Sequence, residues 1–443
     1  MTPEIEKRIK AVKAGRVPAG YKKTKVGIVP KEWDECKLSH YLSVSKEKNT
    51  ELKYSKEDVF SISGELGIVN QIELLGRSYA GASVAPYGVV KPNDIVYTKS
   101  PLKANPYGVI KTNKTGKTGI VSTLYAIFNC RNNVDPSFIQ YYFESDKKLN
   151  DYLLPLVNIG AKHDMKISDD NSLNGIVVFP PLSEQKKIVE ILSTQDKIIL
   201  FKKNTIDEKK KIKKYLEQLL LERHSKNKKR FLEIENRIKS MPSCPTLNNK
   251  KKDEKSDCWK NVKLGMIFEN RIETNCDSLN LLSITAEKGV IPRSEIEGKD
   301  NSSEDKSKYK HIRAGDIGYN TMRMWQGVCA LSQYDGIVSP AYTILNPSKE
   351  ICASYFSYLF KTPFMVNKFY KNSQGLVDDT RCLKYEWFKK IEISIPPLSE
   401  QIVIADILST VNEEISLLQR DLEQEKLKKK SLMQLLLTGL VRV

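Results

Sequence analysis

The chain has 443 residues, with 72 Lys and Arg against 54 Asp and Glu, a formal net charge of +18. At roughly 150 residues per domain, this length predicts two or three domains, each able to bury its own core. A hydrophobic fraction of 40% excludes a disordered chain, and no apolar run approaches the roughly 18 residues of a membrane span. Met1 to Arg16 is charged throughout and lacks a signal-peptide core, so a cytoplasmic location is expected.

In chain order, residues 1–180 read as an N-terminal segment and a first domain. Short β-rich runs such as Asp94–Tyr97 and Gly175–Phe179 are punctuated by Gly, Asn and Pro, and one helix is expected over Ser137–Tyr152. Pro180-Pro181-Leu182-Ser183-Glu184-Gln185 then opens a helix over 181–224, with Ser183 as the expected N-cap and Glu184 in the first turn. Residues 225–256 are a basic polar linker, with a short helix expected around Phe231–Lys239. A second domain, 257–396, has strand-like runs at Tyr342–Leu345 and Ile391–Ile395, and a helix with an aromatic face over Ala353–Tyr370. Residues 397–443 form a second long helix and a tail. The expected fold class is α+β: two α/β domains alternating with two long helices.

The chain repeats itself. Residues 180–221 align with 396–437 without a gap at an offset of 216, and 20 of the 42 positions are identical. Upstream the match is weaker but ordered. Trp33 answers to Trp259, Ser61-Ile62 to Ser283-Ile284, Asp94-Ile95 to Asp316-Ile317, and Gly119-Ile120-Val121-Ser122 to Gly336-Ile337-Val338-Ser339. The drifting offset is what loops of changing length produce over a shared scaffold. In the second helix Leu408, Val411, Ile415, Leu418, Leu422, Leu432 and Leu436 follow a coiled-coil seam interrupted by Glu425 and Lys429. About 40 residues make a rod of roughly 60 Å. Two rods of matching pattern, separated by a domain that must return, are expected to pair antiparallel with pseudo-two-fold symmetry.

The chemistry points to binding. A cytoplasmic chain of pI about 9.3 reads first as a nucleic-acid binder. The eight cysteines are scattered with no two spaced as C-x-x-C, and there are only four histidines, so neither a disulfide framework nor a metal site is expected. Thr115-Gly116-Lys117-Thr118 ends like a phosphate-binding loop but has Lys111 where the pattern needs glycine. Asn105-Pro106-Tyr107 lacks the second proline of the Asn-Pro-Pro-Tyr site of amino-methyltransferases. No histidine sits in a hydrolase motif, and no catalytic residue is assigned.

The arrangement resembles the DNA-specificity subunit of type I restriction–modification systems. The likeness rests on the two Pro-Pro-Leu-Ser-Glu-Gln starts, the two Ile-Leu-Ser-Thr continuations, and the ending Leu432-Met433-Gln434-Leu435-Leu436-Leu437-Thr438-Gly439. Gly27-Ile28-Val29-Pro30-Lys31-Glu32-Trp33 and Gly375-Leu376-Val377-Asp378-Asp379 carry it further, while Asn158 to His163 departs from it in the first repeat. The resemblance implies a non-catalytic subunit that binds double-stranded DNA, each domain reading half of a bipartite target. The helices would set the spacer and dock two methyltransferase subunits. No cofactor would belong to this chain: S-adenosylmethionine would serve the methyltransferase, and ATP and magnesium a restriction and translocase subunit. The rival expectation is a DNA-binding repressor or architectural protein with no methyltransferase partner.

Base readers should be polar and basic side chains on loops carried by strands. The candidates are Thr98, Lys99, Ser100 and Lys103 in the first domain, and Asn320, Thr321, Arg323, Trp325 and Gln326 in the second. Lys162 and His163, loosely matched by Gln374 and Arg381, form another cluster. For partner docking, the candidates are Leu216, Leu219, Leu220 and Leu221 with their copies Leu432, Leu435, Leu436 and Leu437.

Overall fold

The structure is a computed structural model and describes residues 2–102, 104–159, 165–221, 259–276, 278–285, 288–296, 302–375, 377 and 380–443. The expected helix at 231–239 lies outside the described residues. Two compact units divide the chain: Met1–Lys203 with Asp421–Val443, and Asn204–Arg420. Each holds one mixed helix-and-sheet domain, the start of one long helix and the end of the other. Among the described residues, no helix is long and apolar enough to cross a membrane.

The duplication is visible in the topology. In the first unit a four-stranded antiparallel sheet runs in the order Leu42–Val44, Tyr125–Cys130, Ile95–Thr98, Ile110–Thr112. In the second the order is Phe268–Arg271, Tyr342–Pro347, Ile317–Asn320, Cys329–Leu331. Each sheet is accompanied by a hairpin, Phe60–Ser63 with Gly67–Asn70 or Leu282–Thr285 with Gly289–Pro292. The central strands are apolar at nearly every position because both faces are covered. Ala126 and Phe128 enter the main core of the first unit, while Ile127 and Val96 face a second cluster with Phe60 and Val121. A last antiparallel pair, Asp34–Lys37 with Ile176–Phe179 or Lys260–Lys263 with Glu392–Ile395, leads into each long helix.

The long helices span Leu182–Leu221 and Leu398–Leu436. Ser183 is not the N-cap. The Pro181 carbonyl already accepts from the Glu184 and Gln185 amides at 2.9 and 3.0 Å, so the serine lies inside the first turn. Proline serves here because the first amides of a helix have no intrahelical partner to lose. The glutamine of the motif fastens the helix to its domain. Buried Gln185 donates to the Pro180 carbonyl (2.9 Å) and accepts from the Asp135 amide (2.9 Å). Gln401 does the same with the Pro396 carbonyl (2.8 Å) and the Cys352 amide (3.0 Å). Asp135 and Cys352 are the N-caps of helices Pro136–Tyr142 and Ala353–Leu359.

The single helix expected in each domain is two. Pro136–Tyr142 is followed by Asp146–Leu153, and Ala353–Leu359 by Pro363–Asn372. Pro363 cannot continue the preceding helix and Thr362 caps the new one, its hydroxyl accepting from the Met365 amide.

Within each unit the two helix segments run antiparallel. In the first, Gln195 donates to Glu425 (2.6 Å) and Lys202 pairs with Asp421, the partner number falling as the helix advances. Lys429 meets Asp196 (2.8 Å) and Glu144 (2.6 Å). The two polar interruptions of the seam, Glu425 and Lys429, are therefore each partnered across the helix pair. In the second unit Lys209 pairs with Glu414 at 2.7 Å.

The structure places the leucine ends against the cores of the chain. Leu220 and Leu221 are buried in the core of the second unit with Leu264, Phe268 and Leu408, and Leu216 packs against it. Leu436 and Leu437 are buried in the core of the first with Leu38, Phe138 and Leu192, and Leu432 packs against that core. Leu219 and Leu435 are half-buried. These side chains close the cores of the chain itself and leave little to offer a partner. Beyond them the tail turns at Gly439, φ +68°, where a Cβ would lie 2.4 Å from Pro30. Tyr21 donates to the Gly439 carbonyl (2.6 Å), and Arg442 reaches Glu184 (2.6 Å) and Glu32 (2.5 Å). Trp33 donates to the same buried Glu184.

Candidate nucleic-acid interface

In the second unit, strand Ile317–Asn320 ends in a loop whose shape is built by its own side chains. The Asn320 carboxamide oxygen accepts from the Met322 amide (2.9 Å), and the Thr321 hydroxyl donates to the Ala341 carbonyl (2.8 Å). A 3₁₀ turn over Met324–Gln326 then buries Met324 as the loop's anchor. Arg323 and Gln326 are left exposed at the two ends of that turn. Asn320 and Thr321 therefore shape the loop, and Arg323 and Gln326 carry its free chemistry.

Trp325 is half-buried. Its indole donates to the Met322 carbonyl (3.0 Å), and its ring meets Tyr370 edge-on with centroids 6.1 Å apart. The Arg381 guanidinium lies 3.9 Å from the centre of the Tyr370 ring and donates to the Tyr370 hydroxyl at 3.1 Å. The loop and the Gln374/Arg381 cluster, separated by about 50 residues in sequence, are thus one surface. The Leu383 amide, donating to the Thr321 carbonyl at 2.8 Å, ties them together. Gln374 sits in the bridge opposite Cys382, its side chain donating to the Asn372 carbonyl. Tyr370 was not legible as a site residue: it belongs to a helix whose aromatic face reads as core, and only the helix break at Pro363 turns it outward.

The first unit differs. Thr98 is buried, its hydroxyl accepting from the Ser100 amide (3.2 Å), which removes it from the candidate readers. Lys99 is held by Asp169 at 2.5 Å, so its charge is already partnered. Ser100 is exposed, while Lys103, Lys162 and His163 lie outside the described residues. Buried Asn105 donates to Asp146 (2.9 Å), and its resemblance to a methyltransferase motif is a turn over Pro106 and Tyr107. An exposed pair that sequence reasoning missed is Arg77 over Tyr79, with the guanidinium 4.6 Å from the ring centre. Arginine beside an aromatic residue three positions or fewer away is the signal that could have found it.

Chemically, these surfaces present planar guanidinium groups and amides that can fork onto a base edge or a phosphate, backed by aromatic rings that can stack.

Residues 256–427 match the family described as the type I restriction modification DNA specificity domain. A protein of Methanocaldococcus jannaschii, assigned by inference as the specificity subunit of type I restriction enzyme MjaX, is 21% identical, with 96% of this chain and 97% of that protein covered. Among solved structures, the S subunit of a type I restriction–modification system from M. genitalium shares the fold, with a TM-score of 0.52 and 14% identity over 91% of this chain and 96% of that one. The HsdS subunit from Thermoanaerobacter tengcongensis aligns over 93% of this chain and 98% of its own, at 14% identity and a TM-score of 0.45.

Proposed function

We propose that this chain, whose residues 256–427 match the type I restriction modification DNA specificity domain, is the specificity subunit of such a system and selects its DNA target, each unit reading one half of a split sequence. The family match falls on the second repeat. The internal duplication extends it to the first, whose strand order and helix-start contacts are the same.

The observation that carries the reading is a common framework with different surface chemistry on its loops. Among the described residues, Arg323, Gln326 and the Trp325–Tyr370–Arg381 row in one unit have no like-for-like counterpart in the other. A symmetric homodimer would read two identical half-sites; a duplicated chain with divergent loops can read two different ones. The long helices, continuous from one unit into the next, would hold the spacing between the half-sites.

The chain itself performs no chemistry in this reading. Two methyltransferase subunits would supply S-adenosylmethionine chemistry, and a restriction subunit would use ATP and magnesium. The docking surface is proposed on the outer faces of the long helices instead of their leucine ends. Phe201 and Leu417, 71% and 57% exposed, occupy the same position in the two repeats at the offset of 216. Equivalent apolar points on a duplicated scaffold suit two copies of one partner.

Co-expression with a type I methyltransferase subunit tests this. The expected result is a co-purifying complex that methylates a target of two short halves around an unread gap. Sequence-specific DNA binding by the chain with no capture of the methyltransferase would favour the repressor reading.

A further inference from the structure

Glu273, Cys276 and His311 of the second unit bring one carboxylate, one thiol and one imidazole together, with their ligand atoms all within 4.8 Å of one another. The geometry is set by the backbone. The His311 amide donates to the Glu273 carbonyl at 2.8 Å, and Asn275, at φ +62°, turns the chain so that Cys276 returns toward strand Lys310–Ile312. His311 Nδ1 is closed to solvent and has no aligned hydrogen-bond partner, although Glu273 Oε2 stands 3.1 Å away. The imidazole and the carboxylate stand in contact, and the Cys276 thiol close to both completes a mixed oxygen, nitrogen and sulfur donor set.

The matching place in the first unit separates an ion-pair network from a metal site. There the Val89 amide donates to the Glu47 carbonyl at 3.1 Å, and Lys91 pairs with Glu47 at 2.6 Å. In the second unit Arg313 pairs with Glu273 at 3.0 Å. The backbone contact and the ion pair are therefore common to both repeats and require no further ligand. The second unit adds His311 where the first has Val89, and Cys276 where the same count beyond the glutamate gives Thr50. Packing alone would be served by the first unit's choices.

We propose that Glu273, Cys276 and His311 bind a zinc ion, with water in the fourth position. Zinc–sulfur and zinc–nitrogen bonds of about 2.3 and 2.0 Å in a tetrahedral site need ligand atoms about 3.3–3.8 Å apart. The observed spacing reaches this with a side-chain adjustment of about 1 Å. Thiolate and imidazole select zinc over magnesium or calcium. Binding transfers the Cys276 thiol proton to solvent, and the ion cross-links the loop before Cys276 to strand Lys310–Ile312.

The test is titration of the metal-free full chain with cobalt(II), followed by zinc. One equivalent of cobalt should give a thiolate-to-cobalt charge-transfer band that zinc abolishes. Cys276→Ser and His311→Val should each lose that equivalent, and His311→Val installs the side chain that the first unit already accommodates. A measurement on the native chain needs no variant: zinc should slow alkylation of Cys276 at least tenfold, read by peptide mapping. No band in the native chain, a band that persists in either folded variant, or alkylation of Cys276 unaffected by zinc would reduce the cluster to the ion-pair network seen in the first unit.

Discussion

The proline pair that opens each long helix was legible in the sequence because its role is local. Pro363 has an equally local role, yet the expectation of one helix over Ala353–Tyr370 ran through it, where the structure has two. Lys148 could not be read this way. Its ammonium donates to the Leu437 carbonyl at 2.8 Å and lies 4.3 Å from the centre of the Tyr142 ring, capping a helix that begins some 250 residues later. Burial pushes its pKa down from the ordinary 10.5 to about 8. The native state therefore releases this proton more readily than the unfolded chain. The cost of burying the charge is present in full below pH 8 and fades as the pH rises toward 10.5. Wild type should accordingly gain stability relative to Lys148→Met between pH 8 and 10, measured by urea unfolding at a series of pH values. A constant difference between the two proteins across that range would mean that the amine is not desolvated.

Elements were legible in proportion to how well the two repeats preserve them. The long helices stand out because 20 of 42 positions coincide, and the strand pairs because their apolar runs recur in order. The leucine ends were ambiguous for a physical reason: an apolar strip at a helix end looks the same whether a partner or the chain's own core covers it. Leu437 and Phe201 now separate the two cases. Leu437→Ala, at a buried position, should cost about 2–5 kcal/mol of stability. Phe201→Ser, at an exposed one, should leave unfolding within about 0.5 kcal/mol of wild type and weaken methyltransferase capture in a pull-down, as should Leu417→Ser. Equal capture by both variants and the native chain would remove the helix faces as the docking surface. At the helix starts, Gln401→Ala leaves the Cys352 amide and the Pro396 carbonyl without their partner. It should cost about 1–3 kcal/mol in thermal or urea unfolding, and Gln185→Ala a similar amount in the other unit.

At the scale of the whole molecule, the duplicated architecture was legible, and the surfaces that distinguish one repeat from the other were not. Arg323 and Arg381 fall on one surface only because Thr321 and Leu383 are hydrogen-bonded, and no periodicity announces such a contact. The first unit's reading face is the less legible of the two, since Thr98 is buried and Lys99 is held by Asp169. The central claim is that each unit reads its own half of the target, and the most direct measurement is a methylation map from cells expressing the assembled enzyme. With Arg323→Ala and Gln326→Ala, about 1–3 kcal/mol of discrimination should be lost for each forked base contact. One half of the methylated sequence should relax while the other half stays unchanged, and relaxation of both halves together, or of neither, would contradict the account.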